Sequence, residues 1–267
     1  MTPSDEPILA RLDHARRFAC QAGELTLRYF RDAAVVVDRK QDDSPVTVAD
    51  REAETLLRQL IESVYPADAI LGEEFPEKPG DSGYQWVLDP IDGTKSFIHG
   101  VPLYGTLIGL LYQGQSVAGV IYIPALEEMA YGALGHGAWH VVGDAEPVAA
   151  RVSRTERLDE ALGVTSEIAS FRKRGAFVTF VQLDEQVRLF RTWGDCYGYL
   201  LVATGRADFA IDPLMNLWDA AAVSPILAEA GGRYTDWQGV DDVHQPEGLG
   251  SNGLLHESLV AITAKAK

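Results

Sequence analysis

The stretch WVLDPIDGT, residues 86–94, joins an apolar run to two carboxylates and a Gly-Thr turn. The apolar part predicts a strand that Pro90 ends, so Asp89 and Asp92 are expected in the loop beyond it. Ligands of layered α/β proteins commonly bind at this edge of a sheet. A plain turn stays open as an alternative, because Asp-Pro and Asp-Gly are strong turn formers. An EF-hand is a poorer fit, because Gly100 stands where a bidentate glutamate belongs.

Two further acidic pieces border apolar segments elsewhere in the chain. LGEE places Glu73 and Glu74 at the end of a predicted strand, and WDAA places Asp219 in the first turn of a predicted helix. Taken alone, Asp219 is typical of a helix cap, and the glutamates are typical of a solvated strand end. Together with the pair in residues 86–94, these acids would repel one another unless hard cations stood between them. Mg²⁺ meets that need, because it prefers oxygen ligands.

The turn after the second aspartate adds a means of binding phosphate. Backbone amides of Gly93 and Thr94, at the start of a predicted short helix over residues 95–99, can receive phosphate oxygens, and Thr94 also supplies a hydroxyl. Two metal ions that hold a phosphate and an attacking water lower the cost of charge development and of water deprotonation. The residues therefore favour hydrolysis of a phosphate ester.

Composition narrows the class of protein. Of the 267 residues, 46% are hydrophobic and 23% are charged, as in a globular chain that can bury a core. The net charge of −16 opposes a phosphate backbone, so no nucleic acid partner is expected. The apolar stretches are too short for a membrane span, and the acidic start does not resemble a secretory leader. Cys20 and Cys196 lie far apart, which favours a reducing cytoplasm over a disulfide framework or a thiolate metal site.

Hydrophobic periodicity predicts alternating helices and strands. Residues 7–30 and a segment that begins near residue 47 are predicted helices, the second with a capping box over 47–50 and Pro66 as its stop. Five apolar runs between residues 69 and 142 are predicted strands. The remaining predicted elements are strands over 35–37 and 208–211, a loop over 39–45, and helices over 177–190, 197–203, 218–230 and 257–267.

The absence of repeats and long linkers in the sequence predicts a single domain over residues 1–267. Its N-terminal α+β part, residues 1–150, would carry the metal loop. Its C-terminal α/β part, residues 151–267, would carry the elements that recognise the substrate.

These motifs together resemble the lithium-sensitive, Mg²⁺-dependent inositol monophosphatase family. The resemblance runs through KQDDSPVTVAD, GEE, WVLDPIDGTKSF, LVATGRAD, WDAAA and EAGG, in the family's order and spacing and over nearly the whole chain. It implies an α/β fold of the inositol monophosphatase and fructose-1,6-bisphosphatase type, a layered αβαβα sandwich. It also implies a homodimer that acts on a small-molecule phosphate ester.

The resemblance implies a metal site for two to three Mg²⁺ ions. Glu73, Asp89 and the Ile91 carbonyl would hold the first ion. Asp89, Asp92 and Asp219 would hold the second, and Glu73 would also contact a weaker third ion.

The resemblance also implies the catalytic groups. Glu73 and Thr94 would activate the attacking water, with Asp50 supporting the Thr94 hydroxyl. The amides of Gly93 and Thr94 would bind phosphate, and Lys40 would lie in a loop near the third ion.

The residues near position 212 bear on the substrate. The family's inositol enzymes carry a glutamate seven residues before the WD aspartate, and this chain has Asp212 there. WGDCYGY, residues 193–199, with AIDP and SNGLLHE, resembles the family's histidinol-phosphatase branch. Histidinol phosphate carries an ammonium and an imidazole, which the carboxylates of Asp195 and Asp212 would suit.

The function expected from this resemblance is Mg²⁺-dependent hydrolysis of L-histidinol phosphate to L-histidinol and phosphate, a step of histidine biosynthesis. Two alternatives stay open. One is an inositol-1-monophosphatase or a broad sugar or nucleotide monophosphatase. The other is a non-catalytic protein that binds metal or phosphate.

Overall fold

The computed structural model describes residues 5–32, 37–39 and 45–265 of the chain. Its α-helices are α1 (Asp5–Leu27), α2 (Val48–Val64), α3 (Thr94–Ile98), α4 (Ile168–Arg174), α5 (Phe177–Gln186), α6 (Cys196–Ala203), α7 (Leu217–Ala220), α8 (Val223–Glu229) and α9 (His256–Thr263). Its strands are β1 (Val37–Arg39), β2 (Pro45–Thr47), β3 (Ala69–Gly72), β4 (Tyr84–Asp92), β5 (Gly105–Tyr112), β6 (Gln115–Ile123), β7 (Glu128–Ala133), β8 (Ala138–Val142), β9 (Val148–Ala149), β10 (Leu162–Val164), β11 (Leu189–Arg191), β12 (Phe209–Asp212), β13 (Arg233–Thr235) and β14 (Gly248–Ser251).

The layers follow the order αβαβα, as predicted. In the described residues, one sheet has seven strands in the order β3-β4-β5-β6-β7-β8-β9, a second has five in the order β11-β10-β12-β14-β13, and β1 and β2 form a separate two-stranded sheet. Helices α1 and α2 cover the outer face of the seven-stranded sheet, and α6, α7 and α8 lie between the sheets. Helices α4, α5 and α9 cover the outer face of the five-stranded sheet. Both faces of the central strands of these two sheets are therefore buried, which matches their apolar sequences.

The start of α2 follows the predicted capping box. Thr47 Oγ1 accepts a bond of 3.1 Å from the Ala49 amide, and Asp50 Oδ2 accepts one of 2.7 Å from the Thr47 amide. The helix ends at Val64, two residues before Pro66, as predicted. None of the helices in the described ranges combines the length and the apolar character that crossing a membrane would require.

Strand β4 extends further than predicted. Pro90 was expected to end it, yet the strand continues to Asp92, and its pairing with β5 is irregular between Asp89 and Asp92. Proline is tolerated in strands at such bulges, because no ladder hydrogen bond is required of it there. The Thr106 hydroxyl of β5 donates a bond of 2.9 Å to the Pro90 carbonyl. The two aspartates therefore lie in the bulged end of a strand and not in a loop beyond it.

The helix predicted over residues 218–230 is two helices, α7 and α8. Pro225 lacks the N–H that would bond to the carbonyl of Ala221, and its ring would clash with that carbonyl in a continuous helix. The Ala221 carbonyl accepts a bond from the Ser116 hydroxyl instead. Gly231, with φ of 91°, follows α8 as predicted for a helix C-terminus.

Other differences concern short elements. The helix predicted over 177–190 ends at residue 186, and the strand β11 follows it. The elements β7, β9, β10, β13, β14 and α4 were not predicted from the sequence, and most of them are too short to show a clear period. Of the strand predicted over 35–37, residues 35 and 36 lie outside the described residues. The ends of the loop predicted over 39–45 pair with each other in the β1–β2 ladder.

Candidate active site

A cavity of about 370 Å³ lies where β4 ends. Of the predicted site residues, Glu73, Asp92, Gly93, Thr94, Asp195, Asp212 and Asp219 line it. Asp50, Asp89 and Ile91 are buried beside residues that line it. Lys40 lies outside the described residues. The cavity is thus formed by segments from both halves of the chain.

Three carboxylates converge at one end of this cavity. One oxygen from each of Asp89, Asp92 and Asp219 lies within 4.8 Å of the others. Glu73 is close enough to raise the pKa of both Asp89 and Asp219 by electrostatic repulsion. The structure therefore brings together the acids of the three separate motifs.

Close packing of α7 on the seven-stranded sheet places Asp219. At Gly119 of β6 an added Cβ would lie 2.1 Å from the Ala222 carbonyl oxygen, so this position requires glycine. The small residues after Asp219 therefore let the start of α7 approach the end of β4. Asp219 also caps its own helix, because its Oδ2 accepts a bond of 2.7 Å from the Asn216 amide. The Asp219 carboxylate therefore caps α7, as expected from the sequence, and also belongs to the cluster.

The corner between β4 and α3 places the threonine. Gly93 has φ of 83°, a left-handed conformation that glycine adopts without strain. The Thr94 Oγ1 that follows lies 3.4 Å from Asp50 Oδ1 and 3.2 Å from the Ile91 carbonyl oxygen. Asp92 accepts a bond from the Cys196 amide at the start of α6. The bulged strand end is thereby tied to α2 on one side and to α6 on the other.

Burial and mutual repulsion disfavour the charged forms of the clustered acids. Burial raises the pKa of Asp89 well above its usual range, and Glu73 and Asp92 raise it further. Burial raises the pKa of Asp219 to about 7, and Glu73 adds to the shift. These carboxylates cannot all stay ionised side by side unless a cation neutralises them. A set of hard oxygen donors fits a divalent ion such as Mg²⁺.

Asp195 and Asp212 form a second group of acids among the residues that line the cavity. Asp212 is 4% exposed, and its Oδ1 accepts bonds of 3.0 Å from the Thr165 hydroxyl and 2.8 Å from the Ser166 amide. Burial raises the pKa of Asp195 to about 6, and the nearby Asp212 adds to the shift. Asp195 also packs on Gly93, where an added Cβ would lie 2.5 Å from its Oδ2.

Sequence reasoning missed an ion pair at the rim of the cavity. Lys95 Nζ lies 2.7 Å from Glu167 Oε2, and both side chains are partly exposed. Lys95 is the one basic residue among the lining residues that the structure describes. The position of Lys95 directly after Thr94 is a sequence signal from which it could have been predicted. Glu167 precedes α4 in a segment without any motif, so no sequence signal marked it.

Comparison with known proteins places the chain in one family. Residues 10–267 match the model of the inositol monophosphatase family. A histidinol-phosphatase of Chlorobaculum parvum is 44% identical over 251 residues, which are 94% of this chain and 95% of that protein. One from Mycobacterium tuberculosis is 39% identical over 92% of this chain and 95% of that protein. A solved structure of an inositol monophosphatase from Zymomonas mobilis has a TM-score of 0.83 and 33% identity, and covers 98% of this chain and 100% of that one.

Proposed function

The chain belongs to the inositol monophosphatase family, and from this membership we propose that it is a metal-dependent phosphatase that hydrolyses L-histidinol phosphate to L-histidinol and phosphate. The convergence of Asp89, Asp92 and Asp219 in one cavity with Glu73 and Thr94 is the observation that carries the proposal. A phosphate monoester is the substrate class that such a cation site with adjoining amides suits.

We propose two to three Mg²⁺ ions per site. Their ligands would be the carboxylates of Glu73, Asp89, Asp92 and Asp219 and the carbonyl of Ile91. The support is the donor set itself, which consists of hard oxygens, and the raised pKa values of Asp89 and Asp219, which a bound cation would reverse. When bound, the ions lower the pKa of a coordinated water and neutralise charge on the phosphoryl group.

The chain's own residues would orient the reactants. Thr47 bonds Oδ2 of Asp50, which leaves Oδ1 facing the Thr94 hydroxyl at 3.4 Å. Asp50 would hold that hydroxyl in place while Glu73 accepts the proton of the attacking water. The amides of Gly93 and Thr94 would receive phosphate oxygens. Positioning of this kind supplies a large part of the rate increase in phosphoryl transfer.

The second group of acids supports histidinol phosphate as the substrate. Asp195 and Asp212 would give the cavity a negative wall for the ammonium and imidazole of that ester. Inositol 1-phosphate lacks both cationic groups. It remains the alternative substrate, because solved inositol monophosphatases share this fold.

A panel of phosphate esters tests the proposal. We expect purified protein with Mg²⁺ to release phosphate from histidinol phosphate faster than from inositol 1-phosphate or a 3′-phosphoadenosine nucleotide, and lithium to inhibit the reaction. Much faster turnover of either other ester would overturn the substrate assignment.

The Glu73→Gln variant separates an enzyme from a protein that only binds metal or phosphate. We expect this variant to lose phosphate release while it still binds Mg²⁺ at high concentration. Absence of turnover on every ester by the unaltered protein would favour the binding protein.

We further propose a single domain over residues 1–267, a homodimer and a cytoplasmic location. The family resemblance supports all three. Analytical ultracentrifugation would test the dimer.

A further inference from the structure

One face of α2 carries three charged side chains at successive four-residue intervals. Asp50 faces Thr94, and Glu54 and Arg58 follow one and two turns later. Glu54 is fully buried, and Arg58 Nε donates to its Oε1 at 2.8 Å. Burial of a carboxylate and an arginine costs desolvation free energy that their ion pair does not fully offset. The other contacts of Glu54 and Arg58 therefore indicate what the pair does in the fold.

Those contacts reach the segment that carries Glu73. Glu54 Oε2 accepts a bond of 2.7 Å from the Glu74 amide, and Arg58 donates one of 3.1 Å to the Phe75 carbonyl. On the other side of Glu73, an added Cβ at Gly72 would lie 2.1 Å from Glu54 Oε1. The segment on both sides of Glu73 is therefore fitted against this pair.

A second bond fixes the same segment to the sheet. The Glu73 amide donates to the Leu88 carbonyl of β4 at 3.2 Å, one residue before Asp89. Glu73 thus sits between the end of β4, which carries the clustered aspartates, and α2, which carries Glu54. A shift of either support would move the Glu73 carboxylate relative to that cluster.

We propose that Glu54 and Arg58 are positioning residues that hold Glu73 toward Asp89 and Asp219. The inference deepens the proposed function, because it rests on Glu73 acting as a metal ligand there. Neither residue lines the cavity, so they act through the backbone of residues 72–75 and not on the substrate. Replacement of a residue that supports a metal ligand typically lowers metal affinity or activity about 10- to 100-fold.

The chain supplies a matched control for a purely structural role. Arg11 and Asp68 form a second part-buried pair, with a separation of 2.8 Å between Arg11 Nε and Asp68 Oδ2. The exposed fractions of these side chains are 11% and 1%, against 14% and 0% for Arg58 and Glu54. Asp68 precedes β3, at the end of that strand away from Glu73. Asp68→Asn therefore removes a similar buried charge at the opposite end of β3 from Glu73.

Kinetic measurements separate positioning from stability. In Glu54→Gln we expect kcat to fall and the Mg²⁺ activation constant to rise, each about 10- to 100-fold, with KM for histidinol phosphate changed less than about twofold. Asp68→Asn should lower Tm by about as much as Glu54→Gln does. It should leave kcat, the Mg²⁺ activation constant and KM within about twofold of their values in the unaltered protein. Equal losses of kcat in the two variants would overturn the proposal.

Two further variants distinguish a loss of positioning from a loss of activity through misfolding. Glu54→Gln combined with Arg58→Met replaces the pair by neutral side chains, and should recover Tm but not kcat. Arg58→Lys keeps the charge beside Glu54 and loses the fit to the Phe75 carbonyl, so its kcat should fall while its Tm changes little. Recovery of kcat together with Tm in the double variant would contradict positioning.

Two measurements do not depend on turnover. Hydrogen exchange should accelerate at least tenfold in a peptide that spans residues 72–76 in Glu54→Gln and stay unchanged there in Asp68→Asn. Titration calorimetry with Mg²⁺ should show weaker binding in Glu54→Gln alone. If the unaltered protein hydrolyses no ester, the proposed function fails, but these two measurements still decide the positioning role. Unchanged exchange and unchanged Mg²⁺ affinity would reject it.

Discussion

Asp219 shows at the residue scale how one carboxylate serves two purposes. Its Oδ2 caps α7 through the Asn216 amide, and one oxygen of the same group lies within 4.8 Å of Asp89 and Asp92. The cap fixes the side-chain rotamer before any cation binds. Such preorganisation reduces the entropy that a ligand must remove on binding.

A substitution at Asp195 tests the recognition of substrate charge. We expect Asp195→Asn to lower kcat/KM for histidinol phosphate about 10-fold or more, because a charged hydrogen bond to the ammonium is lost. The kcat/KM for 4-nitrophenyl phosphate, a phosphate ester without a cationic group, should change less than about threefold. Steady-state kinetics on both esters measures the ratio. An equal loss on both would assign Asp195 to the chemistry or to the fold.

The raised carboxyl pKa values predict how stability depends on pH in the metal-free protein. Burial raises the pKa of Asp219 to about 7 and that of Asp195 to about 6, against about 3.9 for an unfolded aspartate. The folded state then binds more protons than the unfolded state, so unfolding free energy falls as pH rises through these values. Thermal melts in a chelator should show a lower Tm at about pH 8 than at about pH 5.5.

Saturating Mg²⁺ should remove most of the decrease in Tm between about pH 5.5 and about pH 8, because the cation takes the place of the protons on the clustered carboxylates. Asp68 does not contribute in this interval, because bonds from Arg11 and Ser82 lower its pKa. If the Tm of the metal-free protein instead rises between about pH 5.5 and about pH 8, the clustered acids do not control its stability.

At the element scale, the corner between β4 and α3 determines the geometry of the site. A bulge between Asp89 and Asp92 shifts the register, and the left-handed Gly93 turns the chain into α3. The Thr94 hydroxyl then faces α2. The three features lie within six residues, so a small change in the corner moves several groups of the site together.

Two glycines with the same φ test this corner. Gly93 and Gly114 both have φ of 83°, but among the described residues an added Cβ meets Asp195 at the first and nothing within 4 Å at the second. Either glycine-to-alanine change should lower unfolding free energy by about 1 to 2 kcal/mol, because alanine is strained there. Only Gly93→Ala should also lower kcat, by about tenfold or more, because the clash of the added methyl with Asp195 shifts the Gly93 and Thr94 amides that would bind phosphate.

Chemical denaturation and phosphate release on both variants make this comparison. A loss of kcat in Gly114→Ala as large as in Gly93→Ala would mean that strain anywhere in the fold reduces activity. The corner would then have no special role.

At the scale of the whole molecule, the carboxylate cluster joins two sheets. Asp89 and Asp92 end a strand of the seven-stranded sheet, and Asp219 opens a helix that lies between that sheet and the five-stranded one. A cation held by all three would link the two halves of the chain. Binding to the folded state alone must therefore raise the global stability.

We expect Mg²⁺ at about 100 times its dissociation constant to stabilise the fold by about 2.7 kcal/mol, which raises Tm by about 5 to 10 °C in a chain of this size. A chelator should reverse the shift. Asp219→Asn should remove most of it, whereas the exposed Asp241 can be changed to asparagine without effect. Differential scanning calorimetry measures these shifts. An Asp219→Asn variant that keeps the full shift would place the cation elsewhere.

The family predicted from sequence is confirmed by the match over residues 10–267. The αβαβα layers and the capping box of α2 also agree with prediction. The break between α7 and α8 was missed although Pro225 marks it, because the apolar period continues across it. The roles of the metal ligands and of Asp195 and Asp212 stay predictions that the experiments above test.

Local sequence patterns specify the chemistry available to this protein, namely which acids follow which apolar segments, where α2 is capped and which family pattern the motifs match. These are local properties, because they depend on residues within a few positions of one another.

Tertiary structure alone decided which groups meet. The fit of Gly119 against Ala222, the bond from Glu74 to Glu54 and the pairing of Lys95 with Glu167 join residues up to 103 positions apart in sequence. Such contacts follow from sheet register and from close packing of helices on sheets. No local period in a sequence encodes those two properties.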